Sequence, residues 1–341
     1  MNTSNFRTEL FIKPSAAKIS LSSKIFSIGS CFADVMGNRL AKNKFNVSTN
    51  PFGIIFNPVS IQNIFQIIKN KKKYNYQNND IDKTIFIERD ENFFHYDFHS
   101  QITAPSANEL QDLINKKITD AYFFLSNIDF VIITLGTSFV YKHLQTDNYV
   151  ANCHKMPSNL FKKELLSIEK INFSLNTLIE NIKDINSNCK IIFTVSPVRH
   201  IKDTIELNQV SKSMLRIACN EAVEKNPHVV SYFPSYELMI DDLRDYRFYK
   251  EDMIHPNEVA EDYIWNKFAE SYFGEDTHIF LKKWNAIEKL LNHKFFKVGN
   301  EKYYDFVSNT LSELYSVSEQ VDVSKEIEEW EIKLSAKKIN I

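Results

Sequence analysis

The sequence predicts an α/β fold: a three-layer sandwich with a central five-stranded parallel sheet, a hairpin insertion and a C-terminal helical extension. Three observations carry this. Strand-length apolar runs recur along the chain, segments of helical period lie between them, and three of the six glycines end strand-like runs or follow them closely. Strands alternating with helices pair in parallel and are covered on both faces. A chain with only 6 glycines in 341 residues keeps glycine where a side chain cannot be tolerated.

Lys24-Ile-Phe-Ser-Ile-Gly29 reads as the first strand, and the spacing of Phe32, Val35, Met36 and Leu40 as the helix after a tight turn. Phe45 to Thr49 is the second strand, followed by Asn50-Pro-Phe-Gly53. Phe130 to Leu135, ending at Gly136, has the apolar continuity of a strand buried on both faces. Ile191 to Val195 and Val229 to Phe233 complete the sheet, each stopped by a proline (Pro197, Pro234). Helical period covers Ser60 to Lys69, Glu109 to Leu125, Ser174 to Ile185 and Gln209 to Lys225. The alternation breaks at about 70–105, where Thr84 to Glu88 and Asn92 to Phe98 read as a hairpin inserted near the mouth of the crevice. The principal domain spans 1–275. An extension over 276–341 is helical at Phe280 to Leu291, Tyr303 to Tyr315 and Lys325 to Lys337, to pack on the core or on a partner.

Hydrophobic residues at 43% and charged residues at 25% exclude a disordered or fibrous chain. Lysine and arginine number 41 against 43 acidic residues, which gives no footprint for nucleic acid or an anionic membrane. No apolar run reaches the roughly 20 residues of a bilayer span, and Met1 to Leu10 lacks a signal-peptide pattern. The expectation is a cytoplasmic protein without membrane span or nucleic-acid partner. Cys31, Cys153, Cys189 and Cys219 have no CxxC spacing, so neither a disulfide scaffold nor a zinc site is expected, and no cofactor. Asp241, Asp242, Arg244, Asp245 and Arg247 read as a solvated or internally paired face. A divalent metal on Asp241, Asp245 and a histidine is the lesser alternative.

Ligands of such sheets bind beyond the carboxyl ends of the strands, where Gly29, Gly53 and Gly136 fall. Ser30 and Cys31 put a hydroxyl and a thiol at a helix N-terminus, whose free N–H groups stabilise an oxyanion or thiolate. Equally, Ser30 is an ordinary N-cap and Cys31 a small apolar filler. Asp252, three residues before His255, can fix the imidazole tautomer and leave the other nitrogen to take a proton, or the segment is a surface turn closed by Pro256. Ser138 after Gly136 offers a donor or a cap. Arg199 in Ser196-Pro-Val-Arg-His200 suits a substrate carboxylate or phosphate, or an internal ion pair.

In chain order these elements resemble the SGNH (GDSL-like) hydrolase superfamily. More narrowly they resemble the GSCFA family, whose motif stands at Gly29-Ser-Cys-Phe-Ala33. The likeness extends through Asn50-Pro-Phe-Gly53, Thr134-Leu-Gly-Thr137, Asn152-Cys-His-Lys155, Ser196 to His200, Asn208-Gln209 with Ser211-Lys212, and Tyr246-Arg-Phe-Tyr249 into Asp252 to Pro256. The resemblance implies a flavodoxin-like strand order and hydrolysis or transfer of an acyl group from a small-molecule, glycan or lipid ester. It implies Cys31 as nucleophile by register on Gly29, Ser30 if the turn shifts by one residue, and His255 as base oriented by Asp252. The oxyanion hole would use Gly53, Gly136 and Ser138 beside the Cys31 N–H, with Ser138 standing where the superfamily has asparagine. His99, His154 and Arg199 would contact substrate. The rival expectation is a catalytically silent binding or scaffold protein on the same fold, favoured by that asparagine-to-serine change and by the helical tail.

Overall fold

The computed structural model describes residues 8–77, 84–295 and 298–335. Along the chain run β1 (Lys24–Gly29), α1 (Cys31–Lys42), β2 (Asn46–Thr49), α2 (Pro58–Lys69), β3 (Phe86–Arg89), β4 (Asn92–His95), α3 (Ala107–Leu125), β5 (Phe130–Leu135), β6 (Phe139–His143), β7 (Tyr149–Val150) and β8 (Phe161–Leu165). There follow α4 (Ile168–Ile185), β9 (Lys190–Val195), α5 (Ile205–Lys225), β10 (Val230–Phe233), α6 (Glu258–Tyr272), α7 (Glu275–Leu291), α8 (Glu301–Tyr315) and α9 (Ser324–Ser335). The expected central sheet is present: five parallel strands in the order β10-β9-β5-β1-β2, the flavodoxin-like arrangement. Gly29 is in register with Thr134, and Thr134 with Thr194. The carboxyl ends of β1, β5 and β9 are therefore level, and the turns that follow them share one rim.

Helices start earlier than apolar periodicity alone implies, because the caps set the boundary. Asn57 caps α2 through Ser60 N–H with Pro58 in the first turn, Ser167 caps α4, and Thr204 caps α5. In the insertion, β3 and β4 pair antiparallel as expected, over shorter spans. A second antiparallel sheet, β7-β6-β8, was not expected.

Each sheet face has its own core. On one, Phe26, Ile28, Val131, Ile133, Phe193 and Val195 meet the apolar stripes of α2, α3, α4 and α5. On the other, Ile25, Phe130, Ile132, Ile192 and Phe233 meet Phe32, Met36 and Leu40 of α1 and Ile264 and Phe268 of α6, and the same core continues into α7, α8 and α9. The extension thus packs on the core. Trp284 Nε1 donates to Lys42 O at 2.9 Å and Lys44 pairs with Glu326 at 2.5 Å. Residues 336–337 of the last expected helix, and residues 1–7 of the N-terminal segment, lie outside the described residues. No helix among the described residues is long and apolar enough to cross a membrane.

Candidate active site

The first corner is built on glycine. Gly29 has φ +152°, and a Cβ there would fall 2.2 Å from Thr134 O, so only glycine lets the end of β1 lie against β5. The Ser30 N–H continues the contact to Thr134 O at 3.0 Å. Ser30 caps α1: its buried Oγ accepts from Phe32 N–H (3.3 Å) and donates to Ser196 Oγ (2.9 Å) beyond β9. Cys31, first in the helix, is half-buried. Burial, and then Asp34, push its thiol pKa up, while Lys212 pulls it down.

Asn50 ties β2 to this corner. Its Oδ1 accepts from Gly29 N–H at 2.8 Å and its Nδ2 donates to Asp34 Oδ1 at 2.6 Å. Gly53 follows at φ +76°, where a Cβ would sit 2.3 Å from His99 Cβ, so the His99 side chain lies directly over the glycine. Burial, foremost, lowers the His99 pKa.

Ser196 Oγ also accepts from Val198 N–H at 3.3 Å, and the next residue, Arg199, donates its N–H to Ile254 O at 3.2 Å. Its guanidinium lies 4.0 Å from the Tyr249 ring centroid and borders a cavity of about 230 Å³ shared with Gln209, Tyr246 and Arg244. Asp252 Oδ1 accepts the N–H groups of Ile254 (2.9 Å) and His255 (3.0 Å), and its Oδ2 lies 2.7 Å from His255 Nδ1. The backbone donors at His255 and Ile254, then the imidazole, hold the Asp252 carboxyl down to about 2. A carboxylate so placed keeps the proton on Nδ1. Nε2, with no hydrogen-bond partner among the described residues, is left as acceptor. Both side chains are part exposed, at 40% and 44%. Successive contacts thus run from Ser30 through the Ser196 turn to the turn bearing His255.

The expected oxyanion donors are engaged elsewhere. Gly53 N–H donates to Asn50 O (2.8 Å), Gly136 N–H to Phe56 O (2.7 Å) and Ser138 N–H to Ser211 Oγ (2.7 Å). Ser138 Oγ donates to Ser211 O (2.8 Å). The Cys31 N–H, ahead of the first intrahelical bond, lies against its own thiol and, with the Phe32 N–H, favours the thiolate. His154, expected to touch substrate, follows β7 and is buried against the insertion. Its Nε2 lies 2.9 Å from His95 O and its Nδ1 3.0 Å from Ser100 Oγ, which leaves neither nitrogen for a ligand. Asp241 pairs with Arg244 and Asp245 with Arg247. Among the described residues no group of three His, Cys, Asp or Glu could hold a metal ion.

Sequence reasoning missed the parts played by Asn50, Ser196 and Lys212. Lys212 shares the buried stripe of α5 with Asn208, Ser211, Leu215 and Cys219, and its Nζ donates to Ser196 O at 2.8 Å. A lysine at that phase of an apolar stripe was the available signal.

No curated protein matches the chain. The family model described as "GSCFA domain protein, C-terminal domain" matches residues 284–336, and the one described as "GSCFA family" matches residues 24–268. That second match takes in the whole parallel sheet and every contact of the rim described above, and the chain belongs to the GSCFA family.

Proposed function

We propose that the chain hydrolyses an ester, or transfers its acyl group to a hydroxyl, with Cys31 as nucleophile and His255 as proton acceptor, as in the SGNH hydrolases it resembles. The observation that carries this reading is the Asp252–His255 pair, its Nε2 unengaged, on a turn bonded to the one that binds Ser30. Cys31 is favoured over Ser30 because the Ser30 hydroxyl is buried and committed both as donor and as acceptor.

In the reaction, the Cys31 thiol gives its proton to His255 Nε2 as the sulfur bonds to the ester carbonyl carbon. The Cys31 N–H and the positive end of α1 stabilise the oxyanion. The carbon–oxygen bond breaks, the alcohol leaves with the proton from His255, and a thioester remains on Cys31. Water or an acceptor hydroxyl, deprotonated by His255, then releases the acyl group as acid or new ester. Arg199 and the cavity beside it would receive a polar part of the substrate.

A binding protein is the second reading, favoured by the engagement of Gly53, Gly136 and Ser138, which leaves the oxyanion a poorer cradle. Turnover of p-nitrophenyl acetate and acetylated glycans decides between them. The enzyme reading expects turnover in the native chain and a loss of about 10²–10⁴-fold in His255→Ala. Absence of turnover in the native chain, or full activity in His255→Ala, overturns it.

A further inference from the structure

Lys212 is fully out of solvent in the middle of α5, on the stripe that carries Leu215 and Cys219 into the core. Burying an ammonium is costly, and a well-packed apolar residue in its place commonly stabilises a fold. Its one acceptor among the described residues is the Ser196 carbonyl at 2.8 Å, which leaves two N–H donors without one. Ser196 is the residue whose hydroxyl receives Ser30. Lys212 therefore grips from inside the protein the turn that Ser30 touches from the corner.

The charges that act on Cys31 come from two helices. Asp34 lies on α1 itself and disfavours a thiolate, whereas Lys212 on α5 favours it. His200, in the turn before α5, lies on the Lys212 side and is held neutral by burial, with a pKa of about 4. His99, over Gly53, feels Asp34. Burial pulls Lys212 down to about 7 while Cys31 pulls it back up, so each group responds to the other's charge.

We propose that Lys212 is a positioning residue for the acyl site: it holds the Ser196 turn against Ser30 and sets a buried positive charge that stabilises an anion at Cys31. Its use rests on the acyl-transfer reading, but its test does not.

The test is the rate of iodoacetamide alkylation of Cys31 against pH, followed on the Cys31 peptide. In Lys212→Met the profile should move to higher pH, with the rate near neutrality about tenfold slower for each unit by which the thiol pKa rises. Lys212→Arg, which keeps the charge, should recover most of the rate. An unchanged profile in folded Lys212→Met overturns the proposal. Should that variant not fold, Cys31→Asp leaves the buried lysine in place and lysine ¹³Cε NMR reads its titration. One lysine should titrate near neutrality in the native chain and at higher pH in Cys31→Asp, where a carboxylate charged at that pH stands in for the anion. A lysine midpoint that does not move overturns the proposal equally. An alkylation shift in a chain that turns over no ester would leave the Lys212 inference standing and remove the acyl reading.

Discussion

Gly29→Ala tests whether the first corner is fixed by close packing of backbone on backbone. An alanine Cβ would lie 2.2 Å from Thr134 O and 2.8 Å from Thr134 C, atoms of the central strand that pairs with β1 and β9. Relief requires β1 to move off β5, which also weakens the Ser30 N–H to Thr134 O bond. Holding alanine at φ +152° costs about 1–3 kcal/mol. The overlap adds about 1–3 kcal/mol, and lower chain entropy in the unfolded state returns about 0.4–1 kcal/mol. The expected loss is about 1–6 kcal/mol, which at its upper end is a large part of the ~5–15 kcal/mol that holds a domain folded. Gly274→Ala is the control, since it caps α7 without positive φ and a Cβ there meets nothing within 4 Å. Its cost should stay below about 1 kcal/mol. Equilibrium urea unfolding of both variants measures the difference, and a Gly29→Ala loss no greater than that of Gly274→Ala would refute the reasoning.

Stability should fall with acidification between the ordinary histidine pKa of 6.5 and about 4, the value to which burial lowers His154 and His200. In that window the unfolded chain binds protons that the folded chain refuses, so stability present above 6.5 is lost as pH falls, for His154 by about 2–3 kcal/mol. A urea midpoint that does not drop from about pH 7 to about pH 4.5 contradicts this. Trp284→Ala, which empties a buried site and strips Lys42 O of its donor, should cost about 3–5 kcal/mol. A loss under about 1 kcal/mol would mean that the extension is not part of the core. A double-mutant cycle on Ser30→Ala and Ser196→Ala should give a coupling of about 0.5–1.5 kcal/mol in urea unfolding, and additivity would deny their hydrogen bond.

The parallel sheet was legible because strands buried on both faces leave a continuous apolar trace, as Phe130 to Leu135 does. The β7-β6-β8 sheet was not: β7 is two residues long, and Lys142, Lys162 and Lys163 blur the period of its neighbours. At the site, Gly29 marked the corner and Asp252 announced His255 through local spacing. The contacts that join them span distances no short motif records, with Ser30 and Ser196 lying 166 residues apart. The expected oxyanion donors show the converse. A glycine at a strand end looks free in sequence, but Phe56 O and Asn50 O come from loops whose path is set by tertiary packing. Lys212 was visible as a charge at a buried phase of α5, yet the partner it serves was not.

The most direct test is to mix the native chain with p-nitrophenyl acetate, quench within a turnover and read the intact mass and the Cys31 peptide. The account predicts one acetyl group, carried on Cys31 and formed far more slowly in His255→Ala. Acetylation that is spread over surface lysines, or that forms on Cys31 at the same rate without His255, would contradict it.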